Sequence, residues 1–219
     1  MLTKRKVNKF LMSKVLFIKA NDRPVEQAVS VKLYEAFVQS YKENHPNDEI
    51  AELDLFAENL PYYGNDLLTA MFKAGRGMEL TAEEQKGAEL VNKYLNQFAD
   101  ADKVMIAFPM WNFTVPAVLH TYVDYLSQAG KTFKYTAEGP VGLMGDKKVA
   151  LLSARGGVYS EGPMAEIELA NRYVRTVLGF WGISNITEVI VEGHNQFPDK
   201  AEEIVAAGVE KAAKLAETF

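Results

Sequence analysis

The residues of this chain best suited to chemistry stand in short clusters of aromatic, amide and glycine residues rather than in sets of titratable groups. Pro109-Met110-Trp111-Asn112-Phe113 follows directly on the apolar run KVMIAF at 103–108. Two aromatic rings and a methionine at such a point are costly to leave in water, so they are expected to pack on something flat. A flavin ring is one such partner, with Asn112 and loop amides reaching its edge; the plainer alternative is that Trp111 and Phe113 plug the end of a sheet. Ala154-Arg155-Gly156-Gly157 follows a second apolar run. Paired glycines let backbone approach a planar ligand without interference from Cβ atoms. Exposed amides there would stabilise the negative charge that a reduced flavin gathers near its N1–C2=O edge. An ordinary turn is the alternative. Ala20-Asn21-Asp22-Arg23-Pro24 precedes a helix start, whose unpaired N–H groups and dipole suit a phosphate. Asn21, Gln27 and Ser30 are the side-chain donors for a phosphate monoester at that point, the alternative being a capped helix with Arg23 in solvent.

Other chemistries are excluded or poorly supported. Without cysteine, the chain cannot form disulfides, thiolate nucleophiles, zinc–cysteine sites or iron–sulfur clusters, so redox chemistry would need a bound cofactor. His45, His120 and His194 are far apart and show no short metal-ligand spacing, so no metal site is expected. No Walker loop occurs; Gly75-Arg76-Gly77 lacks the third glycine of a dinucleotide fingerprint, and Gly157 and Ser160 are one residue too far apart for a G-x-S-x-G elbow. The 24 basic and 29 acidic residues leave a formal charge of −5, which gives no footprint for nucleic acid.

These clusters require a scaffold that brings strand-to-helix loops together. VLFIK at 15–19, KVMIAF at 103–108 and VALLS at 149–153 read as strands buried on both faces, 49–54 as an edge strand and 186–191 as a fifth strand. Apolar positions at intervals of three and four place helices after each: from Val25 to Tyr41, after a capping box at Thr81 and Glu84, from Val115 to Gln128, after Pro163, and from about Val205 to Ala216. Between 55 and 80 the pattern is irregular, with a short amphipathic piece around Leu67, Leu68, Met71 and Phe72. The prediction is an α/β doubly wound parallel sheet of five strands in the order 2-1-3-4-5, with helices on both faces and ligands outside the carboxyl ends of the strands. The site should then be built by loops 20–27, 109–114 and 154–162. With 219 residues, 48% of them hydrophobic, one domain over 12–219 is expected. Residues 1–11 are basic and lack the apolar region of a signal peptide; they read as a disordered leader or expression extension ahead of a natural start at Met12. No apolar run is long enough to cross a bilayer, and a cytoplasmic location is expected.

Taken together, KANDRP, PMWNF, SARGG, FKYT-x-x-GP at 133–140 and VLGFWGI at 177–183 resemble the FMN-dependent NADH-azoreductase family, which also reduces quinones; the similarity runs from Met12 to the C-terminus. The resemblance implies a flavodoxin-like homodimer with one FMN per subunit, each site completed by aromatic residues of the partner chain. By position, Met110, Trp111, Asn112 and Phe113 would hold the isoalloxazine edge and Ala154, Arg155, Gly156 and Gly157 its pyrimidine side. Phe133, Tyr135 and Phe180 would form a substrate-facing aromatic wall. The first loop departs from the family pattern, carrying Ala20, Asn21 and Ala28 where many relatives place serines. The activity implied is a ping-pong reaction: NADH reduces the flavin and leaves, then a quinone takes two electrons in one cycle, or an azo compound is cleaved to two amines in two. No protein acid or base is required. A flavodoxin-type electron carrier without NADH turnover is the alternative, against which the length of the 55–80 and 130–145 segments speaks.

Overall fold

The computed structural model describes residues 12–219, so the expectation for 1–11 lies outside the described residues. Among the described residues there are seven strands: β1 (Lys14–Lys19), β2 (Glu49–Asp54), β3 (Lys103–Pro109), β4 (Phe133–Thr136), β5 (Gly139–Gly142), β6 (Lys148–Arg155) and β7 (Asn185–Glu192). Five of them form one sheet in the order β2-β1-β3-β6-β7, with every neighbouring pair parallel. That is the expected 2-1-3-4-5 order, with a separate antiparallel hairpin of β4 and β5 inserted. The helices are α1 (Val29–Asn44), α2 (Asn65–Ala74), α3 (Ala82–Asp100), α4 (Ala117–Leu126), α5 (Ala170–Phe180) and α6 (Ala201–Thr218).

The alternation of strand side chains divides the core into two layers. Val15 and Phe17 of β1, with Met105, Ala107, Ala150 and Leu152, face Leu33, Phe37 and Tyr41 of α1 and the alanine stripe of α6. Leu16 and Ile18, with Val104, Ile106, Val149 and Leu151, face Val91, Leu95 and Phe98 of α3, Tyr122 of α4 and Leu178 of α5. Each fully buried Phe or Leu contributes roughly 1.5–3 kcal/mol through area removed from water. Both faces of the inner strands are therefore covered, which is why those strands read as unbroken apolar runs.

Three details differ from the sequence expectation. Pro116 does not enter the first turn of its helix; with φ −56° and ψ 146° it is the extended residue before α4. The helix expected after Pro163 is split into a short 3-10 segment, Pro163–Ile167, and α5. The break lets the Leu169 N–H donate to the Phe113 carbonyl at 2.9 Å, while the Glu168 carboxylate accepts from the Asn171 N–H at 2.8 Å and caps the new helix start. The β4–β5 hairpin has strands of only four residues, too short to show a period. It is held by backbone contact, since a Cβ on Gly142 would lie 2.1 Å from the Gly182 nitrogen.

At the opposite end from the strand-to-helix loops, Asp48 gathers the chain. It accepts from the Tyr41 hydroxyl at 2.6 Å and the Ser13 N–H at 2.9 Å, and the Lys103 ammonium stands 3.5 Å away. Burial pushes its carboxyl up, but the Tyr41 hydroxyl, the Ser13 amide and Lys103 outweigh that and hold it below the usual range. A depressed carboxylate contributes stability that is complete above its unfolded pKa, about 3.9, and is lost as pH falls through the lower folded value. Thermal unfolding followed from pH 6 to pH 3 should therefore show a steeper loss for the native chain than for Asp48→Asn. Parallel curves would mean that Asp48 carries no such linkage.

Candidate active site

Four loops meet outside the carboxyl ends of β1, β3, β6 and β7. In the first, Asn21 and Ser30 are buried, 3% and 1% exposed, although both are polar. The Asn21 amide donates to Ser30 Oγ at 2.9 Å, and Asn21 Oδ1 accepts from the Arg23 N–H at 3.1 Å, folding the loop back on itself before Pro24. Gln27 lies in a 3-10 turn, its Oε1 accepting from Arg23 at 3.2 Å. The α1 N-terminus has Ala28 at its cap and no side-chain capping bond. Among the described residues the Ser30 hydroxyl accepts but does not donate, so its proton and the Val29 and Ser30 amides remain for an acceptor outside the protein.

The second loop is a two-residue turn. Trp111 and Thr114 exchange N–H···O bonds of 2.8 and 3.1 Å, with Asn112 at φ 49° and Phe113 at φ 71° between them. Positive φ at both central residues is the type I′ geometry. Asn tolerates it, but for Phe it is strained by the order of 1 kcal/mol, the kind of conformation that collects at ligand sites. The strain holds Phe113 out beside the ring of Tyr159, edge-on at a centroid separation of 6.4 Å, while Trp111 stands edge-on to Phe56 at 6.2 Å.

In the third loop the Met110 N–H donates to the Ala154 carbonyl at 2.9 Å, joining loops two and three. The Arg155 guanidinium turns away to Glu192, 2.8 Å, and Glu168, 3.4 Å, so this residue offers a ligand its backbone rather than its charge. Gly156 packs so closely on the fourth loop that a Cβ there would come 2.4 Å from Asn195 Nδ2. That fourth loop, His194-Asn195-Gln196, was not anticipated. The signal was available, since these residues directly follow the fifth strand at the same end of the sheet. His194 Nδ1 is buried without a partner among the described residues, and burial pushes the imidazole pKa down, so it is neutral at pH 7.

The loops enclose two clefts that run into each other at Met110, Gly156 and Asn195. The inner one, about 330 Å³, is lined by Asn21, Gln27 and Ser30 on one side and by Pro109, Met110, Trp111, Ala154, Arg155 and Gly156 on the other. The outer, more open one, about 450 Å³, is lined by Met110, Asn112, Phe113, Gly156, Gly157, Tyr159, Asn195 and Gln196. Every residue singled out in the first three loops thus lies on this joined cleft, whose inner end offers donors and whose outer end offers aromatic faces. A larger cleft, about 580 Å³, runs along β7 and α5, but its charges pair among themselves, as in Arg155–Glu168 and Arg175–Glu188. Among the described residues no group of three or more His, Asp or Glu side chains is placed to hold a metal, and no helix is long and apolar enough to cross a membrane.

Phe133, Tyr135 and Phe180 do come together, with centroid separations of 4.6 Å for Phe133–Phe180 and 5.5 Å for Phe133–Tyr135. They gather where β6 and β7 begin, beside the Met144 N–H to Trp181 carbonyl bond of 2.8 Å. The eight residues of β6, at about 3.3 Å each, put roughly 23 Å between that end and the loops. Tyr135 is 73% and Phe180 40% exposed, so both rings face away from their own chain's cleft into solvent.

A family described as having a flavodoxin-like fold matches residues 13–216. An FMN-dependent NADH:quinone oxidoreductase of Brevibacillus brevis is 84% identical over 208 residues, 95% of this chain and 100% of its own length. FMN-dependent NADH:quinone oxidoreductase 1 of Bacillus subtilis is 64% identical with the same coverage. Among solved structures, an azoreductase from Bacillus anthracis superposes with a TM-score of 0.92 at 66% identity, covering 95% of this chain and 100% of that one. An FMN-dependent NADH-azoreductase from the same species, solved in complex with FMN, gives 0.83 at 32% identity, covering 94% and 100%.

Proposed function

The chain belongs to the flavodoxin-like FMN-dependent NADH:quinone oxidoreductases, and we propose that it binds FMN in the joined cleft and works as a cytoplasmic homodimer that passes electrons from NADH to quinones and aromatic azo compounds. The observation that carries this is the polarity of the cleft: unspent donors at the inner end, aromatic faces and glycine backbone at the outer end. A phosphate would sit at the α1 N-terminus, held by the Ser30 hydroxyl, the first α1 amides and the Asn21–Gln27 loop. FMN held there would supply two-electron hydride chemistry. The chain's own task is to place the ring: Trp111, Asn112 and Phe113 along one edge, the Gly156 and Gly157 backbone along the pyrimidine side, with Met110 between them. Hydride transfer to and from a flavin requires no protein acid or base, in keeping with a site built largely of aromatic and backbone groups. The outward-facing Tyr135 and Phe180 supply the wall over a partner's flavin rather than over their own.

The test is an anaerobic titration of the FMN-loaded protein with NADH, followed in the visible flavin spectrum. Bleaching by NADH that is reversed by added quinone is expected. Bound flavin that NADH leaves oxidised would transfer the chain to the electron-carrier class, which no observation so far favours. At the inner end, Ser30→Ala should weaken FMN by about tenfold or more, from loss of a charge-assisted hydrogen bond of about 1.5–3 kcal/mol. It should leave riboflavin, which lacks the phosphate, unaffected. Equal losses for the two flavins would place the phosphate elsewhere.

A further inference from the structure

Glu192, the last residue of β7, takes hydrogen bonds from much of the loop opposite. It accepts from Arg155 Nε at 2.9 Å, from the Tyr159 N–H at 2.9 Å and from the Ser160 hydroxyl, and stands 2.8 Å from the second Arg155 nitrogen. Gln196 Oε1 accepts the Val158 N–H at 2.9 Å, and the Gly156 and Gly157 carbonyls accept from the Asn195 and Gly193 amides at 2.9 and 3.2 Å. The loop's carbonyls and its later amides are thus committed to the β7 side. Among the described residues, the N–H groups of Gly156 and Gly157 donate to no protein atom. These two residues line the outer cleft. Burial pushes the Glu192 carboxyl up, but Ser160, the Tyr159 amide and Arg155 hold it below the usual range, so it is an anion at neutral pH.

We propose that Glu192 is a positioning residue for the ring end of the site: by anchoring 155–160 to the end of β7 it keeps the Gly156 and Gly157 amides fixed and unspent beside the ligand. It is not itself among the residues that line the cleft. The inference rests on the FMN assignment above and adds what sets the stability of the reduced ring. Amides held in place stabilise negative charge without reorganising, so a loosened loop should favour the reduced flavin less.

The test compares the native protein with Glu192→Gln in two ways. In the flavin-free protein, hydrogen exchange of the bonded Val158 and Tyr159 amides should quicken at least tenfold while exchange in β1 and β3 is unchanged. In the FMN-loaded protein the two-electron midpoint potential should fall, by about 30 mV for each tenfold loss in preference for the reduced flavin. The sign is decisive. Removing a carboxylate acts by charge alone to raise the potential, so a rise would make Glu192 an electrostatic group and overturn the positioning role, as would no change. Ser160→Ala removes one anchor and leaves the buried ion pair intact, so it gives the same readings on a smaller scale if Glu192→Gln does not fold. A native protein that binds no FMN would overturn the site assignment, a result distinct from a native protein and variant that bind FMN and behave alike.

Discussion

Gly156→Val is expected to weaken FMN binding by roughly 10–100-fold while the protein still folds. A Cβ at this position would meet Asn195 at 2.4, 3.0 and 3.1 Å, through Nδ2, Cγ and Cβ in turn. Rotation of the Asn195 amide relieves the shortest contact, but the one with Asn195 Cβ is relieved by parting loop 155–157 from loop 193–197, and both line the clefts. Overpacking of this kind costs about 1–3 kcal/mol, and each 1.4 kcal/mol is a factor of ten in affinity. Gly157→Val should be milder, because its Cβ would come 3.1 Å from the edge of the Tyr159 ring, which can rotate. Titration of flavin-free protein with FMN, read by quenching of flavin fluorescence, measures both. An unchanged dissociation constant for Gly156→Val would remove these loops from the flavin site.

The second large effect concerns the aromatic cluster at the far end of the sheet. Replacing Tyr135 and Phe180 together by alanine should lower quinone turnover at least tenfold with little change in FMN affinity, because the rings lie roughly 23 Å from their own cleft. Mixing that chain with Gly156→Val chains makes the prediction specific. In the proposed dimer a mixed pair would have one intact flavin cleft, on the alanine-substituted chain, walled by the intact aromatics of the Gly156→Val chain. Activity should therefore return on mixing two weakly active preparations, with each mixed dimer approaching half the activity of a native dimer. If mixing restores nothing while the mixed dimers form, the aromatic wall does not come from the partner.

A reader of the sequence could go far with this chain for identifiable reasons. Strands buried on both faces must be apolar throughout, so VLFIK, KVMIAF and VALLS announced themselves, and amphipathic stretches between them left a parallel sheet as the solution. Once the strands were known, the end of the sheet where the strand-to-helix loops gather followed, and so did the three loops whose glycine, amide and aromatic residues stood out. What depended on tertiary contact stayed hidden. Pairing of short β4 and β5 is fixed by the close approach of Gly142 to Gly182, 40 residues away in sequence, not by any period within the hairpin. The fourth loop has neither paired aromatics nor paired glycines to mark it, and it shows itself only because Asn195 packs on Gly156. Arg155 looked like a ligand group in sequence. Glu192 and Glu168, brought beside it by β7 and the start of α5, turn its charge inward. Residue types and local periodicity thus determined the sheet and most of the cleft, because burial and backbone freedom are written locally. Which polar groups are spent on the protein and which remain for a ligand was decided by tertiary structure, because a hydrogen bond between distant residues leaves no pattern in either segment.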